Sequence, residues 1–201
     1  MLVFYFGAME SGKSAYALMT VHQRNRPDAA SHPHTALLAT TLDRTDESVT
    51  SRTGMQMPAL RLVPGEVRLA QFAGADTVVI DEAQFLTPED VDVLGDLSDS
   101  GREVICFGLR SDFLGRLFPG SLRLFELADT VRQVALEPTC ASCDRQAVVN
   151  ARIVDGALTT AGPRIALDVI DSEEDGPVSY RPMCLRCWKA AQQGGPTTDI
   201  G

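Results

Sequence analysis

Apolar positions fall into short continuous runs, separated by polar stretches carrying Gly and Pro. Leu2–Phe6 is such a run, closed by Gly7. Beyond a glycine-containing turn, Ala17, Leu18 and Val21 recur at helical spacing within Ser14–His22, so the chain opens as strand, loop and helix. Asn25–His34 is polar with two prolines and predicts a loop, Thr35–Thr40 a second strand, and the nearly apolar-free Thr41–Gly54 a long loop. Ala59–Val63 predicts a strand, and Pro64 is placed to open a helix through about Phe72. Thr77–Ile80, closed by Asp81, has the unbroken apolar character of a strand buried on both faces.

Thr87 is a usable N-cap, with Asp90 at N3, for a helix over Pro88–Leu97. A buried strand over Glu103–Leu109, a loop over Arg110–Gly120, a short helix over Ser121–Leu127 and a strand over Val131–Leu136 complete the series. Strands alternating with helices at this spacing predict an α/β fold with a parallel sheet and helices on both faces. At Pro138 the composition changes. Strand-like segments at Ala147–Val154 and Arg164–Ile170 and an acidic insert at Asp171–Gly176 lie between two C-x-x-C pairs, and the Gly/Pro-rich Gln192–Gly201 reads as a frayed end. The expected domains are 1–137, 138–190 as a small cysteine-bearing domain, and a tail over 191–201.

The 201 residues carry 18 Lys+Arg against 27 Asp+Glu, a net charge of −9. That balance argues against a protein that coats nucleic acid or an anionic membrane. No apolar run reaches membrane-spanning length and Met1–Phe6 lacks a signal-peptide pattern, so the expected location is cytoplasmic. Four of the five cysteines form the pairs Cys140/Cys143 and Cys184/Cys187, which suit a closed, tetrahedral, structural Zn²⁺; redox-active pairs are the alternative. Cys106, inside an apolar run, reads as a core thiol, and His22, His32 and His34 as surface residues. Trp188 is expected to pack the small domain.

Gly7-Ala8-Met9-Glu10-Ser11-Gly12-Lys13-Ser14 matches G-x-x-x-x-G-K-[ST] between a predicted strand and helix. In that pattern backbone N–H groups cradle phosphates, Lys13 reaches the β/γ-phosphates of a nucleotide, and Ser14 ligates Mg²⁺. Only Lys13 and Lys189 are lysines among the 18 basic residues, which fits a site that needs a compact ammonium. The strand-end sequence Asp81-Glu82-Ala83-Gln84 extends the expected ATP/phosphate-binding set. Asp81 is the second candidate Mg²⁺ ligand, and Glu82 the candidate acceptor of a proton from the attacking nucleophile. Arg110 is a candidate for stabilising transition-state charge. A nucleic-acid-stimulated P-loop ATPase, and a non-enzymatic nucleotide sensor, are rival readings of the same motifs.

Taken together, Gly7–Ser14 with Met9 inside it, Asp-Glu-x-Gln-Phe at Asp81–Phe85, Gly108–Phe113 followed by Phe118, and the paired cysteines resemble the zinc-containing, tetrameric class of thymidine kinases over residues 1–188. The resemblance implies transfer of the ATP γ-phosphoryl group to the 5′-hydroxyl of thymidine, with deoxyuridine also accepted, in the nucleotide salvage that feeds DNA synthesis. It implies Glu82 as general base, a thymine pocket lined by Met9, Phe85, Leu109, Phe113 and Phe118, and Tyr180 stacked on the base. It further implies a lasso loop over Leu167–Tyr180, a homotetramer, feedback inhibition by dTTP, and ATP, Mg²⁺ and Zn²⁺ as the bound cofactors.

Overall fold

The computed structural model describes residues 1–26, 34–41, 48–136, 138–162 and 178–193. They form two compact units, one of residues 1–6, 12–110 and 118–134, the other of residues 7–11, 111–117 and 135–201.

The first unit is built on β1 (Leu2–Phe6), β2 (Ala36–Thr40), β5 (Leu60–Arg61), β6 (Thr77–Asp81), β7 (Glu103–Gly108) and β8 (Thr130–Gln133). They pair in the order β5-β2-β6-β7-β1-β8, every pairing parallel. Residues of the central strands alternate between two cores, as the pleat requires. Leu2, Phe4, Val78, Ile80, Val104 and Cys106 pack with Val91, Leu94 and Leu97 of α2 (Pro88–Asp99) and Leu124 of α3 (Pro119–Leu127). Val3, Val79, Ile105 and Phe107 turn the other way, toward Ala17, Leu18 and Val21 of α1 (Lys13–Arg24). The expected parallel sheet with helices on both faces is therefore present. Because the strands are parallel, β1, β6 and β7 deliver their C-terminal ends to one edge, where open α/β sheets bind ligands.

Helix α2 begins as its sequence dictates: Thr87 Oγ1 accepts the Asp90 N–H at 3.2 Å and Asp90 Oδ2 accepts the Thr87 N–H at 3.0 Å. Such a cap stabilises by about 1 kcal/mol. The helix expected from Pro64 does not form. The same Asp90 carboxylate takes the N–H groups of Gly65 and Val67 at 2.7 and 3.2 Å, Gly65 sits at φ 86°, and only a 3₁₀ turn over Leu69–Phe72 follows. Nor is Thr41–Gly54 wholly loop. Within it Val49 is buried in β3 (Ser48–Thr50), which pairs antiparallel with β4 (Gln56–Pro58).

The second unit carries β9 (Val149–Val154), β10 (Ala157–Thr159) and β11 (Val178–Met183), antiparallel in the order β10-β9-β11, and α4 (Leu185–Gln192). Asp155 and Gly156, both at positive φ (50° and 78°), make the two-residue β9–β10 turn that Asp-Gly favours. Val149, Ala151, Ile153, Met183 and Trp188 pack with the paired cysteines, and Trp188 also lies against Gly115, as expected of a packing residue. The strand expected at 164–170, the acidic insert at 171–176 and the end at 194–201 lie outside the described residues.

Candidate functional site

The strand–loop–helix predicted for Gly7–Ser14 is present, between β1 and α1. Its left-handed positions are Glu10 (φ 69°) and Gly12 (φ 74°), while Gly7 is not among the positive-φ residues. Gly12 is the N-cap of α1, no side chain caps that helix, and no acidic residue lies in its first turn. The positive end of α1 therefore lies beside Lys13 with no acidic residue of its own helix in the first turn.

Lys13 is buried, and burial lowers the pKa of its ammonium, opposed by the charges of Glu82 and Asp81 and reinforced by that of Arg52. Asp81, 3% exposed at the end of β6, has its carboxyl pushed up to about 7, by burial first and then by the neighbouring Glu82 charge, despite a hydrogen bond donated by Ser14. Its Oδ1 is buried without a hydrogen-bond partner among the described residues. An orphaned, buried carboxylate oxygen on an aspartate already bonded to the P-loop serine is the chemistry of a hard-cation site, so Ser14 and Asp81 fit Mg²⁺.

Glu82 sits at φ 57°, a left-handed position for a non-glycine residue, where the chain leaves β6 for a 3₁₀ turn over Ala83–Phe85. Its carbonyl accepts the Thr41 hydroxyl at 2.6 Å, and its Oε2 accepts Gln84 Nε2–H at 2.6 Å. Gln84 Oε1 accepts the Leu109 N–H at 2.9 Å, and Leu109 O accepts the Ser121 hydroxyl at 2.6 Å. Gln84 is 1% exposed, its amide engaged on both sides. A Cβ at Gly108 would stand 2.8 Å from Gln84 Oε1, so glycine there makes room for this link. Ala83 is fully buried in the core.

Of the residues expected at the thymine pocket, Phe85 and Phe118 meet edge to face in the first unit, ring centroids 5.7 Å apart, and Leu109 follows β7 in the same unit. Met9, Phe113 and Tyr180 belong to the second unit. There the Met9 N–H donates to Asn150 Oδ1 at 2.8 Å, Phe113 is buried with the Arg152 guanidinium 5.7 Å from its ring centroid, and Tyr180 pairs across strands with Arg152. Arg110 is half-buried directly beyond Leu109. Sequence reasoning missed Arg52, whose charge reaches Lys13, and the buried pair Asn150 and Arg152. Only the i, i+2 polar spacing inside an apolar strand signals the last two.

The four paired cysteines converge, with all Sγ atoms within 4.8 Å of one another. Cys143 Sγ lies 3.7 Å from Cys184 Sγ and 3.6 Å from Cys187 Sγ. A tetrahedron with 2.3 Å Zn–S bonds has edges of about 3.8 Å, so the sulfurs fit a tetrahedral metal. Burial opposes ionisation of Cys184, but the Cys187 N–H and the neighbouring thiols outweigh it and bring this thiol down to about 7. Cys106 is fully buried on its own in the core, and burial pushes its thiol up to about 12.

A buried lysine at the start of a helix, followed by a serine bonded to a strand-end aspartate, is the arrangement of a P-loop protein of the α/β class. The thymidine kinase family matches residues 1–188. The chain is similar to proteins named thymidine kinase from Streptomyces coelicolor (35% identity, covering 92% of this chain and 87% of the relative), Chromobacterium violaceum (36%; 93% and 97%) and Enterobacteria phage T4 (30%; 93% and 94%). The chain belongs to the thymidine kinase family, a family of nucleoside phosphotransferases, and this match decides against the ATPase alternative. Among the described residues no helix is long and apolar enough to cross a membrane.

Proposed function

We propose that this protein transfers the γ-phosphoryl group of ATP to the 5′-hydroxyl of thymidine, giving dTMP, and that deoxyuridine is also an acceptor. Family membership supports the reaction. The observation that carries the assignment to particular residues is the meeting of Lys13, Ser14, Asp81 and Glu82 at the C-terminal end of β6.

Phosphoryl transfer leaves the protein little covalent chemistry, so catalysis is positioning and charge stabilisation. The Gly7–Ser14 amides and the α1 N-terminus bind the phosphates, and Lys13 meets the β/γ oxygens. The buried ammonium loses little hydration on doing so, because burial has already removed it. Arg52 adds a second cation on that side. Ser14 and Asp81 would hold Mg²⁺, which supplies charge neutralisation to the phosphates when bound. Glu82, kept in place by Gln84, accepts the 5′-hydroxyl proton as the oxygen attacks the γ-phosphorus and ADP leaves. Tyr180 stacks on the base. Cys140, Cys143, Cys184 and Cys187 would hold Zn²⁺, which would supply a structural cross-link within the second unit.

The same reading takes the protein to be a cytoplasmic homotetramer, inhibited by dTTP, that binds neither nucleic acid nor membrane. These properties rest on the family resemblance and the acidic charge. The test is to supply ATP labelled at the γ-phosphate with thymidine: label recovered in dTMP supports the reading, and label recovered only as inorganic phosphate contradicts it.

A further inference from the structure

Strand β9 has two faces of opposite character. Val149, Ala151 and Ile153 enter the cysteine core, while Asn150 and Arg152, at alternate positions, point away from it. Both are nonetheless buried, at 5% and 2% exposure. A sheet face that needs only to be covered would be apolar, because burying an amide and a guanidinium costs several kcal/mol unless their contacts compensate.

Those contacts reach segments far apart in sequence. Asn150 Oδ1 accepts the Met9 N–H at 2.8 Å, so a loop amide 141 residues away is bonded to β9. Arg152 Nη1 donates to Ala161 O at 2.5 Å, and its guanidinium lies 5.7 Å from the Phe113 ring centroid. Tyr180 is its direct cross-strand partner, and the Arg152 charge pulls down a phenol that burial raises. Gly162, at φ 108°, is fitted to this cation, since a Cβ there would overlap the Arg152 guanidinium. Two alternate polar positions of one strand thus contact Met9, Phe113 and Tyr180, three residues that the family resemblance places against the nucleoside.

We infer that Asn150 and Arg152 are positioning residues of the nucleoside acceptor site: Asn150 sets Met9 through its backbone, and Arg152 sets Phe113 and Tyr180. This rests on the thymidine kinase reading, and a wild-type protein that does not phosphorylate thymidine overturns that reading before any variant is made.

The test is steady-state kinetics of the full-length, metal-loaded protein carrying Asn150→Ala, Asn150→Asp, Arg152→Met or Arg152→Lys, with thymidine and ATP varied separately and the metal content and melting temperature measured. Arg152→Met and Asn150→Ala are expected to raise thymidine KM about tenfold, the size of a lost buried cation–π contact or hydrogen bond, with ATP KM and metal content close to wild type. Asn150→Asp keeps the acceptor and Arg152→Lys the charge, so each recovers part of the loss. Thymidine KM within about twofold of wild type in both truncations overturns the inference, as does a parallel rise in both KM values with loss of metal. If neither truncation folds with metal bound, the two side chains are framework alone and the inference fails.

Discussion

Gln84 donates its side-chain N–H to Glu82 Oε2 at 2.6 Å and accepts the Leu109 N–H at 2.9 Å, tying the proposed base to the end of the neighbouring strand β7. The link fixes one carboxylate oxygen of Glu82 and leaves the other for a hydroxyl proton. Gln84→Ala is therefore expected to lower kcat about tenfold, the effect of a lost orienting hydrogen bond, with little change in ATP affinity. Gly108→Ala, whose Cβ would meet Gln84 Oε1, is expected to act in the same direction. Unchanged kcat in Gln84→Ala would remove Gln84 from the mechanism.

Glu82 itself is the stronger test of the chemistry. Glu82→Gln keeps the shape and removes the base, so kcat is expected to fall about 10²- to 10⁴-fold while ATP binding persists. Turnover close to wild type in the purified variant would place the base elsewhere.

Elemental analysis of freshly purified, reduced protein is expected to find one zinc per chain. The four sulfurs are already spaced for it, and metal-binding energy at such a cluster is folding energy. Stripping the metal should speed amide exchange over Cys140–Trp188 and abolish thymidine binding before ATP binding. Protein isolated without zinc yet fully active would defeat this account.

Cys106 provides an internal control. Its thiol is buried and raised to about 12, well above the usual range, so at pH 8 it remains protonated and is shielded from an aqueous thiol reagent. In metal-stripped but folded protein the reagent is expected to modify the paired cysteines and to reach Cys106 only in denaturant. Rapid native labelling of Cys106, located by peptide mapping, would contradict the packing described for the core.

Tyr180→Ala is expected to raise thymidine KM by the equivalent of about 1–3 kcal/mol of lost stacking, and Tyr180→Phe much less. A thymidine KM unaffected by Tyr180→Ala would leave only the phosphate half of the proposed site.

Much of this was legible in the sequence because the signals were local. An unbroken apolar run ending in Asp81 made a central strand, Thr87 with Asp90 made a helix start, and Gly7–Ser14 made a P-loop between a strand and a helix. The failures came where partners were distant. Pro64 opened no helix because Asp90, far along the chain, takes the amides of Gly65 and Val67. Val49 drew a strand out of a polar stretch by being buried against α1. The β9–β10 hairpin did carry a local sign, the Asp155-Gly156 pair. In the site, motif residues were readable, but Gln84 as a tether for Glu82, and Asn150 and Arg152 as contacts of Met9 and Phe113, depend on chain crossings that no spacing encodes.

Whether the protein is a kinase acting on thymidine is decided by an acceptor panel with ATP. The expected outcome is kcat/KM highest for thymidine and deoxyuridine, negligible phosphorylation of deoxyadenosine and deoxyguanosine, and no ATP turnover without an acceptor. Deoxyguanosine phosphorylated as efficiently as thymidine, or ATP hydrolysis independent of any nucleoside, would contradict it.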